Sequence, residues 1–166
     1  FGETLHRIAA LHLDACLAAK MEAGAIGESL FELQMLDGWG FFAFENYAPL
    51  LGKKGLARYR ALAEETWKTA PVREPGSKRE PGVEHHRITG IMEALARRGG
   101  DVDALVAVKC RDLSYPYDFV TIAEILAKAG RHDEAILWAE RGRKAFPHDL
   151  DARLVEFLIE AYHRAK

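Results

Sequence analysis

His12 and Cys16 stand four residues apart, about one helical turn, so on a helix both project from one side. Imidazole and thiolate are ligand types that suit zinc, copper or iron. The same two residues also fall on an apolar stripe, where a histidine and a cysteine are ordinary core side chains. No third ligand follows at a matching spacing, and the stripe reading is preferred. His85-His86 beside Glu84 is a second place for a metal, and it reads more simply as a surface pair at the end of a loop. The serines are Ser29, Ser77 and Ser114. None sits in a GxSxG elbow, and no phosphate loop, dinucleotide fingerprint or HExxH is present. Glu64-Glu65 and Asp133-Glu134 are helix carboxylates, the second pair in a first turn where it complements the helix dipole.

Two further clusters have unusual chemistry. Trp39, Phe41, Phe42, Phe44 and Tyr47 crowd a short stretch. They would line a pocket for a peptide or small ligand, or let a non-helical crossover bury its own aromatics; the second reading is preferred. Arg131, Arg141, Arg143, Lys144 and Arg153 make the C-terminal region locally basic. Glu140, Asp149 and Asp151 are interspersed, so a solvated face is preferred over a phosphate or RNA contact.

The elements that must position these residues are helical. Ala occurs 26 times and Leu 19 times, against 20 for Val, Ile and Thr together. That bias favours helices. The chain has 166 residues and a formal charge of −2, so no global basic field draws it to nucleic acid or an acidic membrane. Cys16 and Cys110 make neither a CxxC zinc site nor a disulfide scaffold. No apolar run reaches the ~18 residues of a membrane span, and a cytoplasmic location is expected. The chain opens at Phe1 rather than Met, within a helical pattern, and is read as part of a longer protein.

Leu5, Ile8, Ala9, His12, Leu13, Cys16 and Leu17 step by three and four, giving one apolar stripe. Gly24 and Gly27 are expected to separate that helix from the next. A third helix is expected over about 54–69, its buried side marked by Leu56, Tyr59, Leu62, Ala63 and Thr66 or Trp67. The Ala70–His86 stretch holds three prolines, two glycines and six charged residues, including Arg73, Lys78 and Arg79 alternating with Glu74 and Glu80. It reads as a linker or mobile loop. The expected organisation is an N-terminal helical part over 1–70, a linker over 71–84 and a repeat region over 85–166.

The repeat is the most specific signal. Ile88, Ile91, Met92, Leu95, Gly99, Ala104 and Pro116 recur 31 residues later as Phe119, Ile122, Ala123, Leu126, Gly130, Ala135 and Pro147. The apolar positions give helix A one face. The glycine ends that helix, the alanine lets helix B approach, and the proline closes helix B. A last helix with Leu154, Phe157, Leu158 and Ala161 follows as a cap.

The second copy, with AGRHDEAILWAERGRKAFP, resembles a tetratricopeptide repeat. It departs from that pattern at Ala139, where an aromatic is usual, and at Gly142, where alanine is usual. The first copy is three residues shorter than the standard of about 34. The resemblance implies an all-α chain of about seven to nine helices, with antiparallel pairs in a right-handed α-α superhelix. It implies a peptide groove along the A helices. That groove holds His86, Thr89, Glu93 and Arg97, then Tyr117, Thr121, Glu124 and Lys128, then Glu156, Ile159 and His163. Their charges are mixed, so capture of an acidic C-terminus is not indicated.

A broader stretch, LFELQMLDGWGFFAFENYAPLLGKKGLARYRALAEETW with RITGIMEALARRGGDVDALVAV, is similar to the C-terminal helical region of bacterial SWIM zinc-finger proteins of unassigned function. The zinc ligands of that family are absent from this sequence. The expectation is a non-enzymatic protein-interaction scaffold, whose partner is a protein or peptide and which needs no cofactor or metal. The alternative is an accessory domain of a nucleic-acid-associated zinc-finger protein, with the Arg141–Arg153 face on phosphates.

Overall fold

A computed structural model describes residues 2–77, 82–149 and 151–164. Among the described residues there are eight helices and no strand: α1 Gly2–Ala18, α2 Ala23–Leu36, α3 Phe44–Lys68, α4 Val83–Gly99, α5 Val102–Lys109, α6 Pro116–Lys128, α7 His132–Ala145 and α8 Ala152–Arg164. The chain forms two compact units. The first is Phe1–Ala70 with Pro81–Leu95, and the second is Pro71–Glu80 with Ala96–Lys166. The division falls within α4, so the first copy of the repeat is shared between the units.

In the first unit α2 and α3 form the main helix pair. Leu30, Tyr47, Leu51, Tyr59 and Ala63 are buried between elements, and Ile88, Ile91 and Leu95 of α4 complete the core. Gly24 and Gly27 lie inside α2 rather than before it, contrary to the expected break. Their helix accepts glycine because a Cβ on Gly27 would lie 2.3 Å from the Gly55 carbonyl oxygen of α3. The two backbones are in contact there. The turn is made instead at 19–22, where Lys20 has φ 49°.

Two other expectations are corrected. On α1, Ala9 and Cys16 are buried, but Ile8 and Leu17 are 47% and 53% exposed. The packed face is narrower than the sequence stripe and runs through Ala9, His12, Leu13 and Cys16. The third helix begins ten residues early, at Phe44. It carries Pro49, whose missing N–H leaves the Glu45 carbonyl without its helical donor. It then breaks at Gly52 (φ 51°, ψ −160°), from which the expected helix proceeds. The aromatic run is split by this geometry: Phe42, Phe44 and Tyr47 are buried, while Trp39 is 78% exposed.

Within the Ala70–His86 stretch, α4 starts at Val83 and Arg73 is buried. Arg73 forms an isolated parallel bridge with Asp112. Its N–H donates to the Arg111 carbonyl at 2.8 Å, and its carbonyl accepts from Leu113 N–H at 2.9 Å. Lys78, Arg79 and Glu80 lie outside the described residues.

In the second unit α6, α7 and α8 pack on one another around Phe119, Ile122, Ala123, Leu126, Ala135, Ala139, Leu154 and Leu158. Ala135 and Ala139 are fully enclosed, as a close helix pair requires. Gly130 takes the left-handed conformation (φ 78°) that ends α6. In the first copy Gly100 (φ 65°), not Gly99, does so. Pro116 does not close a helix B, because α5 has already ended at Lys109. Pro116 instead occupies the first turn of α6, where its fixed φ fits. The Asp118 carboxylate accepts from Tyr115 N–H at 2.9 Å to finish that cap.

Gly142 has a packing reason as well. A Cβ there would lie 2.6 Å from Phe119 Cβ and 3.2 Å from Leu154 Cδ2. Alanine adds about 1 kcal/mol of helix propensity, but the clash is with an atom fixed to the α6 backbone. Gly142→Ala is therefore expected to lower stability by a net ~1–2 kcal/mol. Urea unfolding checks this, and a raised midpoint would show that α6 and α7 are not packed so closely.

Candidate functional site

Tyr117, Thr121, Glu124 and Lys128 are spaced four, three and four apart along α6, so they form a single stripe. Arg153, at the start of α8, reaches over to it. Its Nη2 donates to Glu124 Oε1 at 2.8 Å, and its guanidinium sits 5.0 Å from the centre of the Tyr117 ring. Further along the same two helices, Ala127 of α6 and Phe157 and Ala161 of α8 meet Ile136 of α7 around a cavity of about 340 Å³. Its polar lining is His132, Asp133 and Arg164. None of the stripe residues lines this socket, which takes Ala127 from the C-terminal end of α6. Phe157 and Ala161, four apart, carry only the signal of a capping helix's core; three of the residues around the cavity, Ala127, Ala135 and Ala161, are alanines.

Of the other expected groove residues, Glu156, Ile159 and His163 are exposed on α8. His86, Thr89 and Glu93 lie on the part of α4 that belongs to the first unit, and Arg97 lies past the division. The two threonines are turned inward on their own helices. Thr89 Oγ1 donates to the His85 carbonyl at 2.7 Å and Thr121 Oγ1 to the Tyr117 carbonyl at 3.0 Å.

The basic residues are mostly neutralised in place. Arg131 pairs with Asp103 and Glu134, Arg143 with Glu140, and Arg153 with Glu124. Arg141 covers the face of Trp138 at 4.0 Å. A phosphate would have to displace these partners.

In the first unit His12 is the centre of a polar cluster. Tyr47 Oη lies 2.9 Å from Nδ1 and Ser29 Oγ 3.1 Å from Nε2. Each ring nitrogen is thus within hydrogen-bond distance of one hydroxyl. Cys16 Sγ is 3.8 Å from Nδ1. Burial raises the Cys16 thiol. Burial, reinforced by the neighbouring Cys16, pushes the Tyr47 hydroxyl up to about 12. A protonated thiol is a poor nucleophile and a poor metal ligand, and the ring is already held by two hydroxyls. The cluster satisfies buried polar groups. Among the described residues no three His, Cys, Asp or Glu side chains converge as a metal site would need, and no helix is long and apolar enough to cross a membrane.

A second, more open cavity of about 490 Å³ lies in the first unit. Phe42, Phe44, Tyr59 and Ile91 line it together with His86 and Arg87. Gln34 spans one wall: its Nε2 donates to the Phe42 carbonyl at 2.7 Å and its Oε1 accepts from the Tyr59 hydroxyl.

No curated protein and no solved structure matches the chain. A family model does match, over residues 3–164, which spans both units and both cavities. On that match the chain belongs to DUF6880, a family of unknown function.

Proposed function

We propose that this chain is a non-enzymatic interaction module that binds an extended protein or peptide segment along α6 and α8. We infer an arrangement of antiparallel helix pairs in a right-handed superhelix of the tetratricopeptide type, with α6–α7 as one pair and α8 as the helix that follows. The observation that carries the reading is the pairing of a polar track with an apolar socket. Tyr117, Glu124 and Arg153 offer ring and charge contacts. The ~340 Å³ recess behind Ala127, Phe157 and Ala161 has room for one apolar side chain. Peptide recognition commonly combines a few buried anchors with a polar surround.

The test is to select peptides from a random phage library and measure the affinity of labelled copies. A Tyr117→Ala, Glu124→Ala, Lys128→Ala triple variant is expected to weaken binding at least ~10-fold. Ala161→Trp, which fills the recess, is expected to do the same. Binding should change little with salt. A nucleic-acid ligand making several phosphate contacts would instead lose about 10³–10⁵ in affinity between ~50 and ~200 mM salt. Peptide binding that survives both variants, or salt-steep binding of nucleic acid alone, would overturn the proposal.

A further inference from the structure

Arg87 of α4 is a half-buried cation with no carboxylate partner among the described residues. Its Nη1 donates at 2.7 Å to the carbonyl of Met35, in the last turn of α2. The negative end of that helix dipole offsets part of the charge. Its Nε is buried without an acceptor. A guanidinium taken partly out of water is costly unless an anion meets it.

Arg87 lines the ~490 Å³ cavity of the first unit, whose walls are otherwise largely aromatic and aliphatic. Gln34, Asp37 and Tyr59, which also line the cavity, are already engaged. Both ends of the Gln34 amide are bonded. The two Asp37 oxygens accept from the backbone N–H groups of Trp39 and Phe42, at 2.8 and 3.0 Å. Arg87 is the strong donor left over. Glu45, exposed and also lining the cavity, adds a carboxylate that would suit an ammonium group.

We propose that this cavity binds a small organic carboxylate with an apolar body, its carboxylate on Arg87 and its body against Phe42, Phe44 and Ile91. This site is separate from the peptide face and does not depend on it. Cavities of several hundred Å³ lined mainly by apolar groups with a few convergent polar ones are characteristic of small-molecule sites.

The site has a built-in test at Gly90. That residue lines the cavity, and a Cβ on it would meet nothing within 4 Å. Gly90→Leu should therefore fill the cavity without disturbing the backbone, and it replaces glycine in a helix with a better helix former.

The experiment is an amide-resonance NMR titration of the whole chain with 3-phenylpropanoate, with L-phenylalanine and with the neutral 3-phenylpropanamide. At least one acid is expected to bind with Kd of about 1 mM or tighter, and at least ~10-fold tighter than the amide. The stronger of the two acids shows whether Glu45 takes an ammonium group; either order supports the site. Arg87→Gln should abolish the preference for acid over amide. Gly90→Leu should weaken acid binding at least ~10-fold with the melting temperature maintained. The proposal is overturned if neither acid binds below ~10 mM, if acid and amide bind alike, or if Gly90→Leu leaves binding intact.

Discussion

Alanine at Gly27 or at Gly55 is expected to destabilise the first unit by about 3 kcal/mol or more, lowering its melting temperature by about 10 °C or more. Both positions lie where the backbones of α2 and α3 approach most closely. A Cβ on Gly27 would lie 2.3 Å from the Gly55 carbonyl oxygen, and a Cβ on Gly55 would lie 2.4 Å from the Ala23 carbonyl oxygen. Both obstacles are backbone, so no rotamer change relieves either, and α2 and α3 must separate. Separation loosens the packing of Leu30, Leu51, Tyr59 and Ala63. Glycine in a helix is itself unfavourable relative to alanine by about 0.5–1 kcal/mol, so the predicted sign is opposite to propensity. Gly90→Ala supplies the contrast in the same unit: with open space around it, it should gain about 0.5–1 kcal/mol. Thermal unfolding followed by circular dichroism measures all three. If Gly27→Ala behaves like Gly90→Ala, the helices do not touch there.

The same glycines show what was legible in the sequence. Gly24 and Gly27 fall between two apolar runs, and local rules make such glycines turn residues. Their purpose is set by α3, about thirty residues on, and no local pattern carries that information. Where the apolar period was long and the packing local, as over Phe119 to Leu126 and Ala135 to Ala139, helix type, helix ends and buried positions were all readable. Pro116 was misread for a related reason. Its spacing matched Pro147, but α5 is only eight residues long, so the proline opens the next helix instead of closing the last.

The candidate sites divide in the same way. Tyr117, Glu124 and Lys128 form a stripe because helical spacing dictates it, and that was visible in advance. That Arg153 braces the stripe depends on how α8 lies across α6, which spacing alone does not give. Arg87 carried no sequence signal beyond being one arginine among many. Its interest comes from its place in the cavity without an ion-pair partner among the described residues, and an absence in space has no sequence pattern. Trp39 was singled out for its aromatic neighbours, yet they are core and it is not. The loop that holds it is pinned by Asp37, and that pinning turns Phe42 inward while Trp39 stays outside.

Removal of the Asp112 carboxylate, as Asp112→Ala, is expected to cost the second unit about 3 kcal/mol and to flatten its acid sensitivity. Arg73 comes from the segment whose composition reads as a loop, yet its side chain is only 7% exposed and bonds Asp112 Oδ2 at 2.7 Å. The other oxygen accepts from the backbone and hydroxyl of Ser114, itself buried. Without Asp112, the buried Arg73 guanidinium and the buried Ser114 hydroxyl both lose the carboxylate that bonds them, and breaking a buried hydrogen-bonded pair is far more costly than the intact pair was favourable. Burial alone would raise the Asp112 carboxyl. The hydrogen bonds from Ser114 and Arg73 outweigh it and hold the carboxyl below its ordinary value. A carboxyl depressed in the folded state stabilises above the unfolded value, about 3.9. That contribution is lost as pH falls through the folded value. The wild-type chain should therefore lose stability below about pH 4, and the variant should lose less over the same range. Glu134 and Glu140, also held low by arginines, titrate in both proteins and cancel in the difference. Urea unfolding of the two proteins from neutral pH downward measures that difference. Curves that stay parallel would mean that Asp112 is protonated as easily in the folded chain as in the unfolded one, and that Arg73 does not anchor its segment through this carboxylate.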